Sequence, residues 1–107
     1  MITFIAHFTV ASENAAAFEK LLNHVVKMSN TEAGVVHYGM SQSVEDPTTY
    51  AVVEVYRDQD AVAAHGQTPW LAESVPKFLG LIEGMPQIRQ YVTPGTAPVD
   101  AQLDSLS

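Results

Sequence analysis

The fold is decided by the stretch Val53-Glu54-Val55-Tyr56-Arg57-Asp58-Gln59-Asp60-Ala61-Val62-Ala63-Ala64-His65-Gly66-Gln67-Thr68-Pro69-Trp70. Its first residues alternate in the manner of a strand that ends near Arg57. Asp58 is a good N-cap for a short helix that ends at Gly66. Thr68 caps a further helix whose first residue is Pro69, a position where the missing N–H leaves no bond unmade. The stretch therefore predicts a strand followed by two helices, with His65 at the far end of the first helix.

The sequence on either side of this stretch predicts a ferredoxin-like fold. Its predicted elements are a strand over Ile2–Val10, a helix over about Glu13–Ser29 capped by Ser12 and closed near Gly34, a hairpin of strands Val35–Val44 and Thr49–Arg57, and a last strand over Gly84–Val92. Pro86 favours an edge position for the last strand. The order βαββαβ predicts an α+β protein in which helices cover one face of an antiparallel sheet. We expect one domain over residues 1–95 and a C-terminal tail over residues 96–107.

Both faces of several predicted strands carry apolar residues. In the third strand, Tyr56 lies on one face with Glu54, while Val53 and Val55 lie on the other. The helices can cover only one of these faces. Because a two-fold pair uses the same apolar patch twice, we expect a homodimer or a higher assembly in which sheets face each other, that is, a dimeric α+β barrel.

Composition excludes several functional classes. The 107-residue chain has a formal net charge of −7 and only five Lys and Arg residues, so it lacks the basic surface that nucleic acid or an anionic membrane requires. It has no Cys, which excludes disulfides and thiolate chemistry. No signal-peptide pattern or long apolar run is present, and we expect a cytoplasmic location. Its partners are predicted to be a small-molecule substrate and a second copy of itself.

Three residues of the opening stretch are the candidate catalytic group. Glu54 and Tyr56 point from the same face of their strand, and His65 follows closely enough to share a cavity with them. An imidazole, with an ordinary pKa near ~6.5, suits proton transfer at neutral pH. Glu54 is expected to hold His65 in one tautomer, and Tyr56 to donate a hydrogen bond to a substrate oxygen. The alternative is structural: a helix-end His paired with Glu54, and a Tyr that fills the core.

A second set of residues is predicted to contact the substrate. It comprises His7, His37, Tyr38, Trp70, Phe78 and Arg89. The two histidines can line the pocket from the sheet, the aromatic residues can form its wall, and Arg89 is the best cation for an anionic group. No metal site is expected, since the four His residues lack spaced carboxylate or thiolate partners. No cofactor is expected either, and no Gly-rich phosphate loop follows a strand.

The motifs of this chain resemble those of the antibiotic biosynthesis monooxygenase family. The resemblance lies in Glu54-Val55-Tyr56, the run Asp60-Ala61-Val62-Ala63-Ala64-His65, Thr68-Pro69, and Glu32-Ala33-Gly34 ahead of a strand with Tyr38. It covers roughly residues 2 to 95. It implies a dimeric α+β barrel with a pocket between sheet and helices in each subunit.

The resemblance implies three possible chemistries. Gln67-Thr68-Pro69 after His65 is similar to the quinol monooxygenase branch, which uses O2 without metal or flavin. A haem-degrading branch is disfavoured, because its axial His position falls on Val75. An isomerase branch acting on a small phosphorylated hydroxyketone resembles residues 56 to 65 closely. We therefore expect a cofactor-independent monooxygenase of a quinol or phenol, with the isomerase, or a non-enzymatic dimer that binds a small molecule, as alternatives.

Overall fold

One antiparallel sheet and three α-helices make up residues 1–100, the part of the protein that a computed structural model describes. The elements in chain order are β1 (Ile2–Val10), α1 (Ala15–Ser29), β2 (Val35–Gln42), β3 (Thr49–Tyr56), α2 (Gln59–Gly66), α3 (Pro69–Leu79) and β4 (Ile82–Val92). The strand order is β2-β3-β1-β4, so β4 is an edge strand, as Pro86 predicted. This arrangement confirms the predicted α+β, ferredoxin-like fold. Among the described residues, no helix combines the length and apolar content needed to cross a bilayer.

The ends of α1 differ from the sequence prediction. A 3₁₀ turn over Ser12–Asn14 precedes the helix, and no side chain caps it, so the prediction of Ser12 as a cap was wrong. The helix ends at Ser29, well before Gly34. Gly34 is instead required for packing, because a Cβ at this position would clash with the side chain of Ala61 on α2. The missing side chain therefore allows α2 to pack closely against the start of β2.

The helices cover one face of the sheet and form its core there. Along β1, residues alternate so that Phe4, Ala6 and Phe8 are buried under the helices. Phe8, Phe18 of α1 and Phe78 of α3 pack as an aromatic cluster with ring centroids 5.6 to 6.4 Å apart. These contacts anchor α1 and α3 on the sheet.

The opposite face of the sheet stays partly exposed. Ile5, Val53 and Val55 are half-buried there. Tyr91 on β4 is 52% exposed. This is the face for which the sequence predicted a second copy of the chain.

Strand register places the residues of the functional site in one row across the helix-covered face. Phe4 of β1 pairs with Gln90 of β4 on one side and with Glu54 of β3 on the other. Glu54 in turn pairs with Tyr38 of β2. Since neighbouring strands lie about 4.8 Å apart, the row from Gln90 to Tyr38 spans roughly 15 Å.

The residues after β4 fold back onto the helix-covered face. The side chain of Gln90 accepts from the backbone N–H of Val99 at 2.9 Å and donates to its carbonyl at 3.0 Å. Gln59, the first residue of α2, donates to the carbonyls of Ala97 and Pro98, both at 3.2 Å. Part of the predicted tail is thus packed against the domain, while its residues 101–107 lie outside the described residues.

Candidate functional site

His65 is a fully buried histidine at the end of α2, with 0% of its surface exposed. Its Nδ1 lies 2.9 Å from Oε2 of Glu32, in the turn between α1 and β2. Sequence reasoning expected Glu54 to be this partner. That expectation was wrong, because the carboxyl of Glu54 binds Tyr56 instead. Glu32 therefore takes the orienting role that had been predicted for Glu54.

Glu32 is a site residue that sequence reasoning missed. It lies 33 positions from His65 in the chain, and only the fold brings the two together. The backbone N–H of Glu32 donates to the carbonyl of Ser29, so the turn that follows α1 fixes its position. The available signal was the Glu32-Ala33-Gly34 motif, which had been used only to recognise the family and to end the helix.

Two tyrosine rings flank the imidazole of His65. The ring centroids of Tyr38 and Tyr56 lie 5.3 and 5.4 Å from that of His65. Because Glu32 occupies Nδ1, the other nitrogen, Nε2, is the atom available to a ligand. Nε2 is buried and has no hydrogen-bond partner within residues 1–100. A neutral imidazole whose Nδ1–H is held by a carboxylate presents a lone pair at Nε2, which is the state of a general base.

Glu54 is a buried carboxyl group that is connected to this imidazole through Tyr56. It is 2% exposed, and its Oε1 accepts a hydrogen bond of 2.6 Å from the hydroxyl of Tyr56. Burial raises the pKa of Glu54 to about 8; the hydrogen bond from the Tyr56 hydroxyl lowers this pKa in part, and the negative charge of Glu32 raises it by a smaller amount. Glu54 is therefore largely protonated at neutral pH and can supply a proton.

The two tyrosines remain protonated hydrogen-bond donors. Burial raises the pKa of Tyr56 far above its ordinary value, and the charge of Glu54 adds to this effect. Burial also raises the pKa of Tyr38, followed by the charges of Glu54 and Glu32. The site thus combines one base, one neutral carboxylic acid and two phenols in surroundings largely shielded from water. Such a set can remove a proton from a small organic molecule and return one to it.

Three of the predicted substrate contacts lie on the other face of the sheet. His7 pairs with Ala51, His37 with Val55, and Arg89 with Ile5. These positions alternate with the buried residues of their strands, so their side chains point away from His65. This placement corrects the expectation that they line the same pocket. His7 instead borders a separate cavity of about 280 Å³ near the β2–β3 turn.

The remaining predicted contacts divide between site and core. Tyr38 lies against His65, as described. Phe78 belongs to the aromatic cluster with Phe8 and Phe18, where its role is packing. Trp70 is the second residue of α3, and its indole Nε1 is a buried donor with no partner in the part of the chain that the structure describes. Nowhere in residues 1–100 are three His, Asp or Glu side chains grouped as metal ligands.

Comparison with known proteins identifies the fold and the family. The family model for antibiotic biosynthesis monooxygenase matches residues 1–77. No curated protein matches the chain significantly. Among solved structures, a proposed antibiotic biosynthesis monooxygenase from Nitrosomonas europaea is 21% identical, with a TM-score of 0.83 over 88% of this chain and 99% of that one. The protein PA3566 from Pseudomonas aeruginosa is 28% identical, with a TM-score of 0.78 over 86% of this chain and 92% of that one.

Proposed function

Because the chain belongs to the antibiotic biosynthesis monooxygenase family, we propose that it oxidises a small quinol or phenol with O2, without a metal or an organic cofactor. The observation that carries this proposal is the buried imidazole of His65, which Glu32 holds at Nδ1 and whose Nε2 bonds no group of residues 1–100. A base in apolar surroundings is the main requirement of such a reaction, because the substrate anion itself reduces oxygen.

The reaction begins with proton transfer from a substrate hydroxyl to Nε2 of His65. The resulting anion is electron-rich and passes one electron to O2. The radical pair then combines at a ring carbon and forms a peroxide. Loss of the hydrogen on that carbon and cleavage of the O–O bond release water and leave an oxygen atom on the ring. A quinol and O2 thus give a hydroxyquinone and water, and all atoms and electrons balance.

Glu54 and Tyr56 are placed to serve the second half of this reaction. Cleavage of the O–O bond needs a proton on the departing oxygen. Glu54 holds a proton at neutral pH, since burial raises its pKa to about 8. The hydrogen bond of 2.6 Å to Tyr56 joins this acid to a ring that contacts His65. We assign Glu54 as the proton donor and Tyr56 as the hydroxyl that transmits the proton and stabilises a substrate oxyanion.

The character of the site favours this reaction over isomerisation of a phosphorylated hydroxyketone. Among residues 1–100, the side chains that bond or stack with the His65 imidazole are Glu32, Tyr38 and Tyr56, and the Glu54 carboxyl bonds Tyr56; none of these partners is a cation. Arg89, the cation considered for a phosphate, lies on the other face of the sheet. A buried dianion next to two carboxyl groups would be strongly disfavoured. A neutral aromatic diol carries no such penalty.

Oxygen consumption is the direct test of the proposed reaction. We expect metal-stripped protein to consume oxygen in the presence of reduced quinols at a rate well above spontaneous oxidation. An oxygen electrode measures the rate, and mass spectrometry with ¹⁸O2 checks that one atom enters the product. Uptake that produces only the quinone, with no labelled oxygen in it, would contradict the monooxygenase assignment. Turnover of a phosphorylated hydroxyketone without oxygen uptake would favour the isomerase.

We also propose that two copies pair through the exposed face of the sheet. Ile5, Val53 and Val55 are half-buried there and would be covered by a second sheet. We expect sedimentation velocity at micromolar concentration to show a dimer, and Val53→Glu to shift it towards monomer. Val44→Glu, at a 97% exposed turn position, is the matched control. A wild-type protein that sediments as a monomer would refute the pairing.

A further inference from the structure

The chain segment Ala97–Val99 bridges α2 and β4 and covers the apolar residues between them (the cleft). Val99 packs on a group of buried residues formed by Ile2, Phe4, Tyr56 and Ala61. Besides this contact, the side chains that hold the segment are two glutamines, Gln59 of α2 and Gln90 of β4, through four hydrogen bonds to its backbone. The segment is therefore weakly attached, because it is held by one half-buried valine and by amide hydrogen bonds near the surface.

The cleft adjoins the site through two aromatic rings. Gln90, which holds Val99, is the cross-strand neighbour of Phe4, and Phe4 is the cross-strand neighbour of Glu54. The ring of Phe4 meets that of Tyr56 edge-to-face at 6.1 Å, and Tyr56 in turn contacts His65 at 5.4 Å. Gln59 lies on the same short helix that carries His65 at its other end. The covering segment is therefore bound to both α2 and β4, and two packed rings, Phe4 and Tyr56, connect the residues beneath it to the imidazole.

The buried state of the site requires that some element moves. His65 and Tyr56 are fully buried, and Glu54 is nearly so, which leaves a substrate no direct route to Nε2. α1 and α3 are fixed on the sheet by the aromatic cluster of Phe8, Phe18 and Phe78. Within residues 1–100, the segment Ala97–Val99 has no comparable aromatic anchor, since its contacts are those of Val99 and the four hydrogen bonds to Gln59 and Gln90.

We propose that Ala97–Val99 is a displaceable cover, and that the apolar ring of the substrate enters the cleft in place of Val99. This inference rests on the proposed function, in that the substrate is taken to be a neutral aromatic diol. Once the segment leaves, the amides of Gln59 and Gln90 are free to bond substrate oxygens, as they now bond backbone carbonyls. The wall formed by Ile2, Phe4 and Ala61 suits a flat apolar ring.

The test measures binding of menadione, an oxidised naphthoquinone that has no hydroxyl proton to lose and undergoes no turnover. Val99→Asp places a charge in the cleft and displaces the segment. Because the cover competes with the ligand, its removal is expected to tighten the dissociation constant of menadione by about tenfold. Val99→Ala, which removes most of the apolar contact without adding charge, is expected to tighten it by less. Val44→Asp, at a 97% exposed turn position, is the matched control and is expected to have no effect.

Hydrogen exchange provides an independent measurement on the wild-type protein. The N–H of Val99 is bonded to Gln90 in the covered state. Menadione is expected to speed exchange of this amide, because the ligand displaces the segment. Slower exchange on binding, or a weaker or unchanged affinity in Val99→Asp, would overturn the proposal. Since menadione is not turned over, these outcomes are separate from any failure of the oxygen-uptake assay.

Discussion

Replacing His65 with Ala is expected to lower quinol-dependent oxygen uptake by about 10²-fold or more, the usual contribution of a general base. The reason is local. Among residues 1–100, Nε2 of His65 is a buried nitrogen without a hydrogen-bond partner, and Glu32 holds the ring at Nδ1 between two tyrosines. Without the imidazole, the substrate hydroxyl has no base to receive its proton. Steady-state rates on an oxygen electrode, compared with spontaneous oxidation, measure the loss.

Two further variants separate loss of the base from loss of the fold. His65 is fully buried, so its removal leaves a cavity, and far-UV circular dichroism must show that the variant is folded. His24→Ala, at an exposed position of α1, is the matched control and is expected to retain full activity.

Glu32→Gln keeps the shape of the orienting side chain but removes its charge. It is expected to lower kcat more than it raises KM and to change the pH profile of kcat. A folded His65→Ala protein with undiminished turnover would refute the role of the base.

The sequence was sufficient to predict the fold because the decisive signals were local. Alternation in β1 and β3, and the cap at Asp58, whose side chain accepts from the N–H of Ala61, each depend on residues close together in the chain. The alternation of β3 also predicted that Glu54 and Tyr56 lie on the same face of that strand. The structure confirms that geometry with a direct hydrogen bond between them.

The pairing of His65 was not predictable in this way. Glu54 is nearer to His65 in the sequence than Glu32 is, and a carboxyl group that shares a strand face with Tyr56 was a reasonable partner. The choice between them depends on how α2 packs against the turn after α1, and thus on Gly34, whose missing side chain admits Ala61. Such a packing contact leaves no periodic signal in the sequence.

The misplacement of His7, His37 and Arg89 has a different physical origin. A strand presents alternate residues to opposite faces, so the faces follow from the sequence once one residue has been assigned. What the sequence lacked was the register between strands. Register places His37 opposite Val55 rather than Glu54, after an irregularity between Val35 and His37. That irregularity shifts the alternation of β2 relative to a regular strand pairing.

The free energy of unfolding of the wild-type protein is expected to fall as the pH rises, and Glu54→Gln is expected to abolish the part of this fall that Glu54 causes. Burial raises the pKa of Glu54 to about 8, whereas an unfolded chain releases this proton near the ordinary value of 4.5. Between these values the folded state holds a proton that the unfolded state has lost. The unfolded state therefore binds fewer protons, and the free energy of unfolding falls with rising pH by up to about 1.4 kcal/mol per pH unit. This stabilising contribution is fully present below about pH 4.5 and is lost as the pH rises through about 8.

Gln at position 54 keeps the hydrogen bond with the Tyr56 hydroxyl but has no proton to release. The groups that face Glu54, namely Tyr56, Tyr38 and Glu32, are present in both proteins, so the difference between the two curves isolates Glu54 to a first approximation. Urea unfolding at intervals from pH 4 to pH 9 should show the variant gaining stability relative to wild type between about pH 4.5 and pH 8, with little further change outside that window. Glu73→Gln, at an exposed position of α3, should run parallel to wild type. Parallel curves for Glu54→Gln and wild type would mean that Glu54 ionises with an ordinary pKa, and it would then lose its assignment as the proton donor that completes O–O cleavage.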